Sequence, residues 1–214
     1  MLKAIGHLFS LAFGVPPGGG NVFHPTDKCP ECGTRLMRRS QRDEVAAWAC
    51  PNLDCPAQLR ARLVHWCSPG ALDITGGDAA LVALLVGRGL ARDVAELYRI
   101  KVAELAALPG LDKSSAQKFF DALTASQKCA TWRTLHGLGI PQVGPDEAKA
   151  LCRQFASVDN VFAASVERLM KAEGVGEAVA RSLVHWHSDS VNRKLVRRLF
   201  KAGVNFRSDL YPAA

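Results

Sequence analysis

Four cysteines stand where a metal ion can be held. They read Cys29-Pro30-Glu31-Cys32-Gly33 and, after an interval of seventeen residues, Cys50-Pro51-Asn52-Leu53-Asp54-Cys55-Pro56. Two close thiol pairs joined by a loop can present four sulfurs tetrahedrally to one Zn2+, at about 2.3 Å each. Gly33 suits a tight knuckle whose backbone amides turn toward sulfur. A four-thiolate site is coordinatively closed, so its expected role is structural, with no open position to activate water. Iron accepts the same ligand set, and the residues alone leave both metals open. His24 and His65 flank the cluster; with four sulfurs at hand they are read as bystanders. Cys67, Cys129 and Cys152 stand singly and are read as small buried hydrophobes.

A second set of residues can hold an anion. Four short turns, Gly76-Gly77-Asp78, Gly110-Leu111-Asp112, Gln142-Val143-Gly144 and Gly174-Val175-Gly176, begin 34, 32 and 32 residues apart. In the last three an alanine follows the third turn position by four residues: Ala116, Ala148 and Ala180. This is the grammar of a helix-hairpin-helix. The first glycine takes a positive φ, the apolar middle residue plugs the turn into the core, and the second glycine lets a phosphate approach the amides that open the next helix. Such contacts read no base, so binding is expected to be independent of sequence.

The four turns do not fit equally. Gly174-Val175-Gly176 fits fully, with Arg181 in the following helix. Gln142-Val143-Gly144 keeps the second glycine and has Lys149 nearby. Gly110-Leu111-Asp112 places an acid at the close-approach position, with Lys113 and Lys118 close by. Gly76-Gly77-Asp78 has the same substitution and no plug residue. A carboxylate there repels phosphate. The expected order of phosphate contact is fourth, third, then second, with the first turn structural only.

The elements that must position these residues are helical. Apolar residues make up 48% and charged residues 22% of 214, aromatics only 7%, and the net charge is +7. That balance allows a buried core and favours helix over strand; the basic surplus is compatible with a polyanion partner. Helices are expected at 56–66, 79–86, 102–107, 114–126, 147–155, 166–172, 178–187 and 190–202, and no sustained alternation argues for an extensive sheet. The cysteine clustering points to metal in a reducing compartment rather than disulfides.

Residues 1–22 are expected to be a flexible or helical segment, closed by the break Pro16-Pro17-Gly18-Gly19-Gly20. Their apolar run is interrupted by His7 and Ser10 and is too short to span a bilayer; a docking helix is preferred to an export signal. Residues 23–66 form the finger and its connecting helix, 67–206 the helix-hairpin-helix domain, and 207–214 a tail. The fold class is mainly α: a small four-cysteine, zinc-ribbon-like finger followed by a four-unit helix-hairpin-helix array. Among the scattered basic residues, Arg60 and Arg62 are carried forward as DNA contacts. Arg38, Arg39 and Arg42, and the set Arg193, Lys194, Arg197, Arg198 and Lys201, read first as solvated charge.

Taken together, these segments resemble the zinc-finger and helix-hairpin-helix region of bacterial NAD-dependent DNA ligases. The resemblance runs through CPECG at 29–33, CPNLDCPAQLRARLVHW at 50–66, LPGLDKSSAQKFFDAL at 108–123, LGIPQVGPDEAKAL at 138–151, EGVGEAVA at 173–180 and NRKLVRRLFKAGV at 192–204. It implies Cys29, Cys32, Cys50 and Cys55 as zinc ligands. It also implies backbone contacts to double-stranded, including nicked, DNA through Gly174, Val175, Gly176, Val143, Gly144, Gly110 and Leu111.

Asp78 and Asp112 depart from the pattern. The adenylating Lys-x-Asp-Gly motif is absent from these residues; the nearest string, Lys171-Ala172-Glu173-Gly174, overlaps the fourth turn. The resemblance therefore implies a DNA-holding part with no NAD site and no catalysis of its own, expected in the cytoplasm, on the nucleoid when DNA-bound, and not in a membrane. A half-ligase completed by a separately encoded catalytic chain is the alternative, and a protein-interaction scaffold is a further one.

Overall fold

A computed structural model describes residues 28–39, 47–52 and 55–212, with the side chains of Arg38, Arg39 and 47–49 left out. Residues 1–22, His24 and Arg42 lie outside that set. The chain divides into two compact units, one through Leu63 and one from Val64 onward.

The first unit is built around its cysteines. Strands β1 (Met37–Arg39) and β2 (Ala47–Ala49) pair antiparallel, with Met37 opposite Ala49 and Arg39 opposite Ala47. A bridge from Lys28 to Arg35 closes the loop before them. Leu36 and Ala57 are buried with Cys29, Cys50 and Cys55, and Cys32 packs against that cluster. So small an apolar set needs a staple to define a fold. Helix α1 (Pro56–Cys67) begins immediately after Cys55, with proline at its first position, where a missing N–H costs nothing.

The second unit is all helical in its described residues: α2 (Ala79–Gly87), α3 (Val94–Leu97), α4 (Val102–Ala106), α5 (Lys113–Ser126), α6 (Thr131–Gly137), α7 (Pro145–Gln154), α8 (Val158–Phe162), α9 (Val166–Leu169), α10 (Glu177–Ser188) and α11 (Ser190–Lys201). No helix among the described residues is long and apolar enough to cross a membrane. The stretch α3–α4–turn two returns 64 residues later as α8–α9–turn four. Within the hairpins α4 packs on α5, α6 on α7, and α9 on α10. Side-chain caps start many of these helices. Asp93, Ser157 and Ser165 accept from amides in the first turns of α3, α8 and α9.

The core is aliphatic, with Leu72, Leu85, Leu97, Leu105, Leu135, Leu151, Leu169 and Leu183 all essentially inaccessible. The segment after α11 laces it shut. Val158 donates its amide to the Phe206 carbonyl, Asn205 to that of Gln127, and Ser208 to that of Ala156. The buried Thr134 hydroxyl donates to the Asn205 carbonyl at 3.3 Å.

Candidate metal centre and nucleic-acid interface

The cysteines expected to hold metal are brought together. One sulfur from each of Cys29, Cys32, Cys50 and Cys55 lies within 4.8 Å of all the others. Cys29 and Cys55 approach to 3.7 Å, Cys32 and Cys50 to 3.5 Å. Sulfurs at about 2.3 Å from a tetrahedral Zn2+ stand roughly 3.8 Å apart, so the four ligands fit that ion with little adjustment. The knuckle forms as its glycine predicts. Gly33 has φ +70° and donates to the Cys29 carbonyl at 2.8 Å, while Cys29 donates to that of Thr34 at 2.7 Å.

Hydrogen bonding with the Thr34 hydroxyl and backbone holds the pKa of the Cys32 thiol down at about 6, whereas burial pushes that of Cys50 up to about 12. Arg60, one of the expected DNA contacts, reaches back across the knuckle. Its guanidinium donates to both oxygens of Glu31, the shorter bond being 2.7 Å. Arg62 on the same helix is engaged elsewhere in the structure. His65 makes no part of the cysteine site. Its Nε2 lies 3.0 Å from the His136 carbonyl, within the second unit.

The four turns share one backbone. Their first residues, Gly76, Gly110, Gln142 and Gly174, have φ of +84°, +80°, +67° and +74°. The middle residues donate to a carbonyl three residues back: Gly77 to Ile74, Leu111 to Leu108, Val143 to Ile140 and Val175 to Ala172. The third residues, Asp78, Asp112, Gly144 and Gly176, are all extended helix caps, with φ between −77° and −82°. Each accepts the first helical bond, from Val82, Ala116, Ala148 and Ala180. Those four side chains are fully buried, which is why three of them are alanine.

One expectation needs correction: turn one does not lack a plug. A Cβ on Gly77 would lie 2.6 Å from the Cβ and Sγ of Cys67. The Cys67 side chain fills the space that Val143 and Val175 fill in their own turns. Burial pushes its thiol up to about 12, leaving it an inert packing group.

The third residue separates the turns chemically. Asp78 accepts the Leu81 amide at 2.9 Å, and Asp112 accepts that of Ser115 at 2.6 Å. Bonds from Ser115 hold the Asp112 carboxyl below its ordinary range. In turns one and two a carboxylate of the chain thus already sits where an external anion would sit. Gly144 and Gly176 carry no such group of their own; α10 starts without a side-chain cap, whereas on α7 the Glu147 carboxylate takes the Gly144 amide.

Turn four is the more open of the two. A Cβ on Gly176 would meet nothing within 4 Å, whereas one on Gly144 would meet the Glu147 carboxylate at 2.7 Å. Glu147 accepts the Gly144 amide at 3.0 Å, and Pro145 has no amide to offer. The nearby cations are engaged. Arg181 pairs with Glu177 at 2.6 Å, and Lys149 sits 3.9 Å from Asp146 and 4.7 Å above the Trp132 ring. Lys113 and Lys118 are exposed on α5.

Comparison with known proteins agrees with this geometry. Residues 28–57, which include all four cysteines, match the NAD-dependent DNA ligase C4 zinc finger domain. Residues 133–196, which contain turns three and four, match the helix-hairpin-helix motif. The DNA ligase of Rubrobacter xylanophilus is 41% identical over 189 residues, covering 88% of this chain and 27% of that protein. Those of Syntrophobacter fumaroxidans and Aquifex aeolicus are 41% and 39% identical, over 87% and 83% of the chain. The chain spans about a quarter of the length of these curated relatives.

Proposed function

We propose that this chain, which resembles the zinc-finger and helix-hairpin-helix region of bacterial NAD-dependent DNA ligases, holds duplex DNA by its sugar-phosphate backbone. Hairpins three and four form the grip. The observation that carries the reading is the pair of extended caps without side chains, Gly144 and Gly176, on a backbone where the other two caps are filled by their own carboxylates. Amides at the start of α10 and α7, helped by the helix dipoles, face phosphate oxygens there. Val143 and Val175, 2% and 5% exposed, anchor the two turns in the core.

Gly110, Leu111, Lys113 and Lys118 contribute less, because Asp112 occupies the amides between them. Arg181 and Lys149 contribute by exchanging Glu177 and Asp146 for phosphate. Arg60 serves the finger first, through Glu31. The zinc in Cys29, Cys32, Cys50 and Cys55 is structural: four thiolates leave no site for water, and the ion supplies the cross-link that the small first unit needs.

The test is duplex binding by fluorescence anisotropy across a salt series. Phosphate contacts make log K fall with log salt at about −0.9 per contact, and two to four engaged turns, each meeting one or two phosphates, predict a slope of roughly −2 to −7. Absence of binding at low salt defeats the proposal. A second reading follows from the relatives' shared name. The nick-sealing chemistry that a DNA ligase performs is supplied by an adenylating region outside these residues, and this chain presents the nicked duplex to it. Sealing that requires both parts, with neither sufficient, checks that reading.

A further inference from the structure

We infer that the outward face of α11 is a second phosphate-binding surface, which takes the backbone of a duplex in addition to the hairpin turns. The inference rests on the DNA-holding reading above and adds to it a site remote from any turn.

Helix α11, Ser190–Lys201, carries Arg193, Lys194, Arg197, Arg198 and Lys201 and no acid within its length. Five charges in one helix compare with a net +7 for the whole chain. At 3.6 residues per turn, Val191, Lys194, Arg197, Arg198 and Lys201 fall within roughly 120° of one another. They line one shallow open depression of about 360 Å³. The opposite side is core, with Val196 and Leu199 buried.

Two of the five cations already have work within the fold. Arg198 pairs with Asp93 and Glu96, clipping α11 to α3. Arg193 donates to the carbonyls of His187 and Ser188, closing the end of α10. Lys194, Arg197 and Lys201 have no ion-pair partner among the described residues.

A merely solvated helix face interleaves acids with bases, because like charges three or four residues apart repel. On α11 that relief reaches Arg198 alone among the described residues of this face, from Asp93 and Glu96; Lys194 faces Arg197, and Arg197 faces Lys201. The helix endures this repulsion through its packed side, and an external polyanion is what removes it. The spacing suits nucleic acid. Lys194 to Lys201 spans about 10.5 Å of helix axis, and one DNA strand presents a phosphate about every 3.4 Å along its axis. Three cations on long, flexible side chains thus reach about two to three phosphates.

The experiment uses the full zinc-loaded chain and a fluorescein-labelled blunt duplex, titrated at several salt concentrations. Three proteins are compared: wild type, K194Q/R197Q/K201Q, and R88Q/K128Q/R153Q as a charge-matched control on other exposed surfaces. The α11 variant is expected to lose about 2 to 3 from the magnitude of the salt slope, against less than 1 for the control. Its thermal midpoint should stay level or rise, since repulsion has been removed.

Equal slopes for the two triple variants would overturn the inference and leave the hairpin reading standing; a wild type that binds no duplex would overturn both. Poly-glutamate binding that the α11 substitutions abolish, with the duplex slope unchanged, would also overturn it and assign the face to an acidic polypeptide.

Discussion

Turns one and two and turns three and four are the same object in backbone and different objects in chemistry. All four place a residue of positive φ first, and all four end in an extended helix cap near φ −80°. Where the cap is aspartate, its carboxylate satisfies an amide of the helix it starts, at 2.9 Å for Asp78 and 2.6 Å for Asp112. Where the cap is glycine, no carboxylate of its own fills that place: Gly176 leaves it open, and at Gly144 only the flexible end of Glu147 reaches in. The hairpin as an architectural joint therefore does not depend on anion binding. The side chain at the cap, and in turn three the one three residues on, set how far the joint is closed by the chain itself or offered to a phosphate.

The largest effect should come from imposing the first pair's chemistry on the second. Substituting G176D puts a carboxylate in open space at the start of α10, and G144D requires only that the flexible Glu147 end swing aside. Each should weaken duplex binding by about 1.5–3 kcal/mol, the range for a hydrogen bond to a charged group. Stability should be unchanged or slightly raised, because aspartate is at least as good a helix cap as glycine. Anisotropy and thermal melting on the same samples check this. Loss of affinity accompanied by an equal loss of stability would mean that the glycines matter only for folding.

The reverse exchange is smaller. D112G removes the internal carboxylate from turn two, at a cost of a few tenths of a kcal/mol in capping. Lys113 and Lys118 remain exposed beside the vacated amides. A tighter complex with the salt slope steepened by about 1 is expected. An unchanged slope would show that turn two is turned away from the duplex whatever occupies its cap.

Much of this was legible because it is local. Cysteine spacing alone picked out the four thiols that the fold brings together, and the longer helices were visible in their apolar periodicity. The missed helices are α3, α6 and α8, of four, seven and five residues. Pieces that short complete too few turns to show a period, and Ala130, the residue that caps α6, has no polar side chain to do so. The expected start at Glu147 lies two residues inside α7, because Pro145 opens the helix without adding to its apolar period. Contacts between distant positions left no local trace. Nothing beside Gly77 announces that Cys67 plugs its turn, and Arg60 gives no sign of its partner Glu31. The Arg181–Glu177 pair was readable from its four-residue spacing.

Within the second pair, turn three is the strained copy. Gln142 holds φ +67°, where the other three turns have glycine. Left-handed backbone costs a non-glycine residue about 1–2 kcal/mol, and the entropy of glycine returns part of that. Q142G should therefore raise stability by about 0.5–1 kcal/mol, read as a higher denaturant midpoint at unchanged slope. A lower midpoint would mean that the glutamine side chain stabilises the turn by more than the strain costs.

Turn three also has a prop that turn four lacks among the described residues. His136 Nδ1 lies 3.2 Å from the Val143 carbonyl. Burial, then the neighbouring His65, lower the pKa of His136 in the folded chain, so the unfolded chain takes up the proton first. Folded stability from this group is complete above the ordinary histidine value of about 6.5 and is lost as pH falls through the lower folded value. Acidification from neutral should then loosen the third hairpin ahead of the fourth. Amide protection across 136–148 should drop relative to 170–182, after correction for intrinsic exchange. H136N keeps a donor near the Nδ1 position and removes the titration, so it should abolish the difference. Equal losses of protection in both hairpins would show that His136 packs against turn three without coupling it to pH.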